Sequence, residues 1–598
     1  MAEDTNNLRP LLRGEALTWD LRTIFPDETS WRKEVAAIRE HAREISQLKG
    51  TITTSAESLL LFLTHLEALQ IRLGKVSTYA HLSHALDMRC DSANMMVQVS
   101  RGLAADVESS LSFLAPELLA TPWVDLDRLI SSLPALERYR FFLAENERNR
   151  PHRLSAPEES LLGRLSALAS TPESIRDALH DGDLRFRPVA LADKEAEPTH
   201  GNIDEFMQSA DRSVRRAAYE SYSDSYLIHA QSFAATLTAE ATTAVTFARA
   251  RKFRSTFSKK LFAAALSPQV YRTAMRSCRR HYPLFQRYFR ARARALGVAR
   301  IAECDIHAPL SRTPTSIPYP EAVGHVLASL CPLGDEYVSV ARKGLTQDRW
   351  ADVEPRPGKF SNAFSGGNYG TRPFFLLNYA PTMPEVGTLT HELGHSMHSF
   401  FTHRAQSVLY SSYSMTAAET ASNLNQVLLR AHLLKGADRE MKLAVLDEAF
   451  FFLHRYLFLM PTLSRIEHAL HTQYARGRAL GCGDLQRATR TAFLRAYGDS
   501  VDADPERLGM TWAKFTHFYG PYYMFQYAVG ISAALAIGAR LVRGEPGLRE
   551  RYIEFLSLGA SQHPTDIFKV VGIDIESEGV YHEAFLVVED YIRMLESL

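Results

Sequence analysis

Thiol groups are scarce in this sequence. Its 598 residues hold five cysteines, Cys90, Cys278, Cys304, Cys331 and Cys482, which are scattered and odd in number. None forms a C-x-x-C pair, so neither a disulfide framework nor a thiolate zinc site is expected, and a reducing, cytoplasmic setting fits. Net charge is missing as well. The 68 Lys and Arg balance the 68 Asp and Glu, which removes the overall positive field that a non-specific nucleic-acid binder uses to track phosphates. The first thirteen residues carry no apolar run, so no secretory signal is expected. No internal repeat or low-complexity tract interrupts the chain.

Apolar residues make up 46% of the chain and charged residues 23%, an ordinary globular composition that excludes a disordered or fibrous chain. The length calls for two or more domains or one large helical assembly. Residues 31–48, 58–82 and 93–114 place apolar side chains at three- and four-residue spacing and read as helices. The texture changes at 184–206, where alternation followed by a polar loop suggests a small hairpin. A boundary near residue 200 follows, giving an N-terminal helical domain (1–200) and a second domain (201–598) that holds the catalytic motifs described below.

Residues 271–300 are rich in arginine and contain no acid. Tyr282, Phe285, Phe289 and Leu296 fall on one helical stripe while Arg287, Arg290 and Arg294 fall elsewhere, so the segment reads as an amphipathic helix with a solvated basic face, not a nucleic-acid track. The uncharged stretch 515–539 is long enough to cross a bilayer, but its His517, Pro521, Gln526 and tyrosines favour a buried helix entering a polar site. Neither nucleic acid nor membrane is expected as a partner. Between 355 and 381, Phe360–Phe364, a glycine-rich turn and Phe374–Tyr379 read as a β-hairpin, with Pro373 placing its strand at an edge. That edge, within 358–379, is a candidate to pair with an extended peptide. Everything after Pro381 reads as helix.

His391-Glu-Leu-Gly-His395 is an H-E-x-x-H motif. On a helix its histidines at i and i+4 share a face, close enough for both imidazoles to bind one zinc ion, while the glutamate serves as general base. Thr382-Met-Pro-Glu385 matches a capping box, and Val386, Leu389, Leu393, Met397 and Phe400 continue at helical spacing. A catalytic zinc needs a third protein ligand. No Asp or Glu occurs from Ser396 to Ala418, and the first acid afterwards is Glu419, which could instead close a capping box with Thr416. The metzincin pattern fails, because its glycine and third histidine would fall on His398 and Phe401. His398 reads as a packing or supporting histidine, not a ligand. Near the C-terminal end, His517-Phe-Tyr-Gly-Pro-Tyr-Tyr523-Met-Phe-Gln-Tyr527 is the densest tyrosine cluster. With Gly520-Pro521 as a helix start, Tyr523 and Tyr527 share a face, as core aromatics or as phenol donors.

Together, His391-Glu-Leu-Gly-His-Ser-Met-His398, Glu419-Thr-Ala-Ser422, Asn362-Ala-Phe-Ser-Gly-Gly-Asn-Tyr-Gly370 and Phe374-Phe-Leu-Leu-Asn378 resemble the M3 family of zinc oligopeptidases, and within it the oligoendopeptidase F group. Trp19-Asp-Leu, His152-Arg-Leu-Ser-Ala-Pro-Glu-Glu159, Asp211-Arg-Ser-Val-Arg-Arg-Ala-Ala-Tyr219 and Asp305-Ile-His-Ala-Pro-Leu310 extend the resemblance over nearly the whole chain. It implies a mainly α fold of two helical halves enclosing a deep substrate channel, with a small β-sheet beside the active-site helix. The implied activity is zinc-dependent endopeptidase cleavage of short oligopeptides, with one zinc per chain held by His391, His395 and Glu419, and Glu392 as base. His517, Tyr523 and Tyr527 match positions that hydrogen-bond substrate and oxyanion. Gly367, Tyr369, Tyr527 and His398 complete the candidate substrate contacts. The sequence departs from some relatives at Gly530, where they carry a further tyrosine. Alternatives are a zinc carboxypeptidase or dipeptidyl carboxypeptidase of similar plan, or a non-catalytic peptide binder, which a replaced ligand or base would favour; none is replaced.

Overall fold

Helix accounts for about 70% of the computed structural model and strand for 3%, so the mainly α expectation holds. Residues 8–311 and 315–598 are described. By internal contacts the chain divides into two interleaved units. The first comprises the chain up to Pro151, Ser316–His432 and Arg540–Gly572, and the second His152–Thr315, Leu433–Ala539 and Ile573–Leu598. The change of texture near residue 200 lies inside the second unit.

The first unit opens with three packed helices, Glu28–Ser46, Ala56–Leu86 and Asp91–Ser110, close to the expected bounds. Asp27 and Ser55 start two of them by accepting the N–H of Ser30 at 2.7 Å and of Ser58 at 3.1 Å, which satisfies donors the first turn cannot pair. Trp31, Phe62, Leu63 and Leu69 are fully buried between them, each stabilising the fold by about 2 kcal/mol relative to exposure. Trp31 Nε1–H donates to Val76 O at 3.0 Å, so the indole is buried without losing a hydrogen bond.

The same unit carries a three-stranded sheet of Ala351–Asp352, Phe374–Leu376 and Phe364–Gly366. The strand after Pro373 is its centre and not its edge. Phe374–Leu376 pairs antiparallel with Phe364–Gly366 (Phe364 with Leu376, Gly366 with Phe374) and parallel with Ala351–Asp352. Pro373 precedes the first paired residue, so it withholds no ladder donor. Phe364–Gly366 is an edge strand of this sheet. Trp19 fastens the far side, its Nε1–H lying 2.9 Å from Trp350 O and 3.0 Å from Phe375 O.

The second unit is built around Ala230–Ala250, Pro268–Arg280, Tyr282–Ala295, Met460–Ala475, Cys482–Tyr497 and Glu578–Ser597. The expected hairpin near 190 is present as two short antiparallel strands, Val189–Ala190 and Glu195–Ala196. A further strand, Val501–Asp502, pairs in parallel with Ile301–Ala302, which corrects the all-helical expectation after Pro381. The arginine-rich segment is two helices broken at His281, and its basic face is not simply solvated. Arg287 pairs with Glu589 at 3.2 Å and with Glu596 at 2.5 Å, and Arg290 pairs with Asp499 at 2.6 Å. The apolar stretch forms the helix Met524–Val542, long and apolar enough to cross a membrane by length and composition, yet 72% of its apolar window is buried inside the fold.

Candidate metal centre

The motif lies on the helix Met383–Ala405 of the first unit, with Pro384 in the first turn. Thr382 precedes it in extended conformation, but its side chain makes no cap hydrogen bond. The expected capping box is therefore not formed, and burial pushes the Glu385 carboxyl up to about 7. Val386, Leu389, Leu393, Met397 and Phe401 make the fully buried stripe. Phe401, not Phe400, ends that stripe, and the opposite face is left for His391 and His395.

The third candidate ligand comes from the neighbouring helix, Met415–Leu433. Ser414 begins that helix, accepting the Ala417 N–H on its hydroxyl at 3.2 Å and the Ala418 N–H on its carbonyl at 2.9 Å. Thr416 therefore sits inside the first turn and cannot be the cap that Glu419 would close. The two helices meet at Gly394. A Cβ there would stand 2.7 Å from Ser422 Cα and 2.8 Å from Ala421 O, distances no side chain tolerates. The glycine inside the motif thus lets the second helix approach closely enough to bring Glu419 to the histidines.

Ligand atoms of His391, His395 and Glu419 all lie within 4.8 Å of one another. The two Nε2 atoms are 3.2 Å apart, the rings are nearly perpendicular at 86°, and Glu419 Oε2 is 3.8 Å from His391 Nε2. Two nitrogens bound tetrahedrally to one zinc are roughly 3.4 Å apart, so the donor set fits that ion with one position open. Gln426 Oε1, which can only accept, lies 3.1 Å from His391 Nδ1. This oxygen suits a proton on Nδ1, which leaves the lone pair on Nε2, the tautomer a metal requires. Ser422 Oγ and Asn423 Nδ2, each at 3.3 Å, donate to Glu419 Oε2. Burial holds His395 well below the usual histidine range and therefore neutral. Glu392, 7% exposed, has its carboxyl pushed up to about 7, chiefly by burial, with His391 lowering and Glu419 raising it. Such a group can take up and release a proton near neutral pH.

The remaining candidates divide. His398 is 1% exposed and stacks on Tyr413 at 3.7 Å, so the packing expectation describes it and no face is left to meet a peptide. Gly367 turns the chain after the edge strand at φ +112°, where a Cβ would meet Arg372 O at 2.8 Å. Tyr369 lies against His403, ring centroids 5.7 Å apart, about 12 Å along the helix from His395. There it lines a cavity of about 810 Å³ with Arg138, Phe141, Gln406 and Tyr410. Ser365 of the edge strand does reach the motif helix, its hydroxyl 3.0 Å from that of Ser396.

In the second unit, His517, Tyr523 and Tyr527 converge. The His517 ring is 5.9 Å from that of Tyr523 and 5.8 Å from that of Tyr527, and the two tyrosines meet edge to face at 5.5 Å. Tyr527 also stacks on Tyr456 at 4.8 Å. Burial, then the charges of Arg455 and Arg176, hold His517 down to about 4. Tyr523 is 40% exposed. The helix starts at Met524 and not at Gly520-Pro521, because Tyr522 takes a left-handed φ of +60°.

Sequence reasoning missed Gln426 and Gly394's neighbours. Gln426 lies seven residues, two turns, after Glu419 on one helix face, and that spacing was the available signal.

Comparison with known proteins adds an independent result. The profile described as Peptidase family M3 matches residues 205–586, and that described as Oligopeptidase F matches 117–186. Oligopeptidase PepF of Bacillus subtilis (strain 168) is 32% identical over 585 residues, 97% of this chain and 87% of that protein. Group B oligopeptidase PepB of Streptococcus agalactiae serotype III (strain NEM316) is 32% identical over 587 residues, 98% of this chain and 97% of that one. The crystal structure of oligoendopeptidase-F from Enterococcus faecium superposes with a TM-score of 0.74 at 25% identity, covering 95% of this chain and 99% of that one. Since the first profile spans both the motif helices and the tyrosine cluster, and relatives align almost end to end, the chain belongs to peptidase family M3, in its oligopeptidase F branch.

Proposed function

We propose that this metallopeptidase of family M3 is a zinc-dependent endopeptidase acting on short oligopeptides. The observation that carries the reading is the convergence of His391 Nε2, His395 Nε2 and a Glu419 oxygen within 4.8 Å, with Glu392 buried beside them on the same helix. His391, His395 and Glu419 would hold one zinc. Zinc bound there supplies Lewis acidity, which acidifies water and polarises a carbonyl.

The chain's own residues do the rest. Glu392 takes the proton from the attacking water and delivers it to the leaving amine. Gln426 keeps His391 in the required tautomer. Phe364–Gly366, the edge strand of its sheet, receives an extended peptide by main-chain pairing, and the names of the relatives support short peptides as substrates. Tyr523 gives its phenol hydrogen to the developing oxyanion, with His517 and Tyr527 beside it. All five cysteines are free thiols, which suits the cytoplasm as the place of action.

The test is metal analysis with digestion of one internally quenched oligopeptide, its C-terminus free or amidated. About one zinc per chain, loss of cleavage on chelation, recovery on adding zinc and equal cleavage of both peptides are expected. Retained activity in the chelated protein would overturn the metal reading, and cleavage of the free-carboxyl peptide alone would make the enzyme a carboxypeptidase.

A further inference from the structure

Tyr522 and Tyr523 are neighbours in sequence and opposites in environment. Tyr522 is 2% exposed and Tyr523 is 40% exposed. The reversal is made by the backbone of Tyr522, which holds φ at +60°, a region that a bulky side chain rarely occupies and that needs surrounding structure to maintain. Relaxing to the helical value would turn this torsion by roughly 120° and swing Tyr523 away from His517 and Tyr527.

Two contacts from one helix, Met460–Ala475, oppose that relaxation. The Tyr522 N–H donates to Glu467 Oε1 at 2.7 Å, and the Tyr522 hydroxyl lies 3.1 Å from His468 Nδ1. The Tyr522 ring is packed among Phe257, Tyr271 and His471, with centroids at 5.1, 6.0 and 5.6 Å. On the other side of the turn, Gln526 Nε2 donates to Tyr522 O at 3.3 Å, and the Tyr523 carbonyl receives the Gln526 N–H at 3.2 Å to begin the following helix. Glu467 is completely buried. Its other oxygen receives a long hydrogen bond from Ser464 Oγ at 3.4 Å, and among the described residues no ion pair accounts for a carboxyl at this depth.

We propose that Glu467 is a positioning residue for peptide hydrolysis: its carboxyl oxygen clamps the Tyr522 N–H in the left-handed turn and thereby aims the Tyr523 phenol. The inference rests on the reading of Tyr523 as the oxyanion donor. Burial pushes the Glu467 carboxyl up to about 8, so Glu467→Gln exchanges one neutral acceptor for another, whereas Glu467→Leu removes the acceptor at similar volume.

The test measures kcat, KM and zinc content on one quenched oligopeptide for the wild type, Glu467→Gln, Glu467→Leu, Tyr523→Phe and the Glu467→Leu/Tyr523→Phe double variant. Tyr523→Phe alone should lower kcat by about 10²-fold to 10³-fold. Glu467→Gln should stay within about threefold of wild type, and Glu467→Leu should lower kcat by about 10²-fold with KM and zinc little changed, the effect of a donor misplaced by about an ångström. Adding Tyr523→Phe to Glu467→Leu should then cost about threefold or less, because the donor is already out of place. Losses that multiply, or a Glu467→Leu enzyme as fast as wild type, would overturn the clamp. An unimpaired Tyr523→Phe enzyme would overturn the oxyanion reading instead. Should Glu467→Leu fail to fold, Glu467→Met replaces it in the same cycle, since it removes the same acceptor from the Tyr522 N–H with a more adaptable side chain; multiplying losses there would overturn the clamp equally.

Discussion

Among the described residues, each unit contains one group of two histidines and an acid whose ligand atoms lie within 4.8 Å: His391, His395 and Glu419 in the first, and His180, Asp181 and His200 in the second. The difference between them is where the lone pairs point. In the first group the rings stand at 86° with the Nε2 atoms 3.2 Å apart, and Gln426 fixes the proton of His391 on the far nitrogen. In the second, the rings stack at 3.5 Å and 21°, so their in-plane lone pairs run side by side and do not converge. His200 Nε2–H donates to His180 O at 2.6 Å, leaving Nδ1 to accept from the Tyr222 hydroxyl at 2.9 Å. Both nitrogens of His200 are therefore used. Arg176 adds its positive charge, which with burial and His200 holds His180 down to about 3. Proximity of the right residue types does not make a metal site; free, convergent donors do.

The largest effects should come from the first group. On the proposed ligand set, His391→Ala, His395→Ala or Glu419→Ala should each lower zinc content from one per chain to nearly none and abolish turnover, because each removes one of the three proposed ligands. Full zinc retention in Glu419→Ala, by metal analysis after dialysis, would break the comparison on its stronger side. Glu392→Gln should keep the zinc yet lose about 10²-fold to 10⁴-fold in kcat, since the amide cannot accept the proton. That pair of outcomes separates holding the ion from using it.

A smaller effect sharpens the role of orientation. Gln426→Leu leaves all three ligands but removes the acceptor on His391 Nδ1, so zinc affinity should fall about 10-fold to 100-fold. Competition with a chelator of known affinity measures this, and an unchanged affinity would mean that the ring is held by packing alone. Gln426 also marks how far the sequence could be read. His391, Glu392 and His395 were legible because four-residue spacing on a helix dictates a shared face, and Glu419 because no other acid stands within the preceding twenty-three residues. The orienting glutamine, the glycine contact with Ala421 and Ser422, and the pairing of Arg287 with Glu596 were not. Each depends on how helices distant in sequence cross, which local periodicity does not encode. The central place of Phe374–Leu376 was hidden for a related reason: Pro373 speaks only for its own missing N–H, and the parallel partner Ala351–Asp352 lies outside the hairpin that the local pattern suggests.

The smallest effect on catalysis belongs to the second group, and it tests the comparison from the other side. His180→Gln should leave zinc content at one per chain and kcat within about twofold at pH 7.5, because neither ring in this cluster offers a convergent lone pair. Its consequence should instead be acid stability. His180 has an ordinary value of 6.5 and is pushed down to about 3 by burial, then by Arg176 and His200, so the fold favours the neutral ring while the unfolded chain takes up a proton. Below about pH 6.5 the unfolded state binds more protons, and stability falls as pH drops towards 3; above 6.5 nothing is lost. One such proton corresponds to a slope of about 1.4 kcal/mol per pH unit at most. Gln carries no titrating proton and can still meet the Tyr226 hydroxyl, which lies 2.8 Å from His180 Nδ1. Urea midpoints of wild type and His180→Gln should therefore diverge between pH 6.5 and 4 and run parallel above 7, the variant having the flatter profile. Identical slopes would mean that the stacked pair accepts its proton in the fold. Loss of a zinc equivalent in the variant would show that stacked imidazoles can bind metal after all, and the contrast between the two groups would have to be drawn elsewhere.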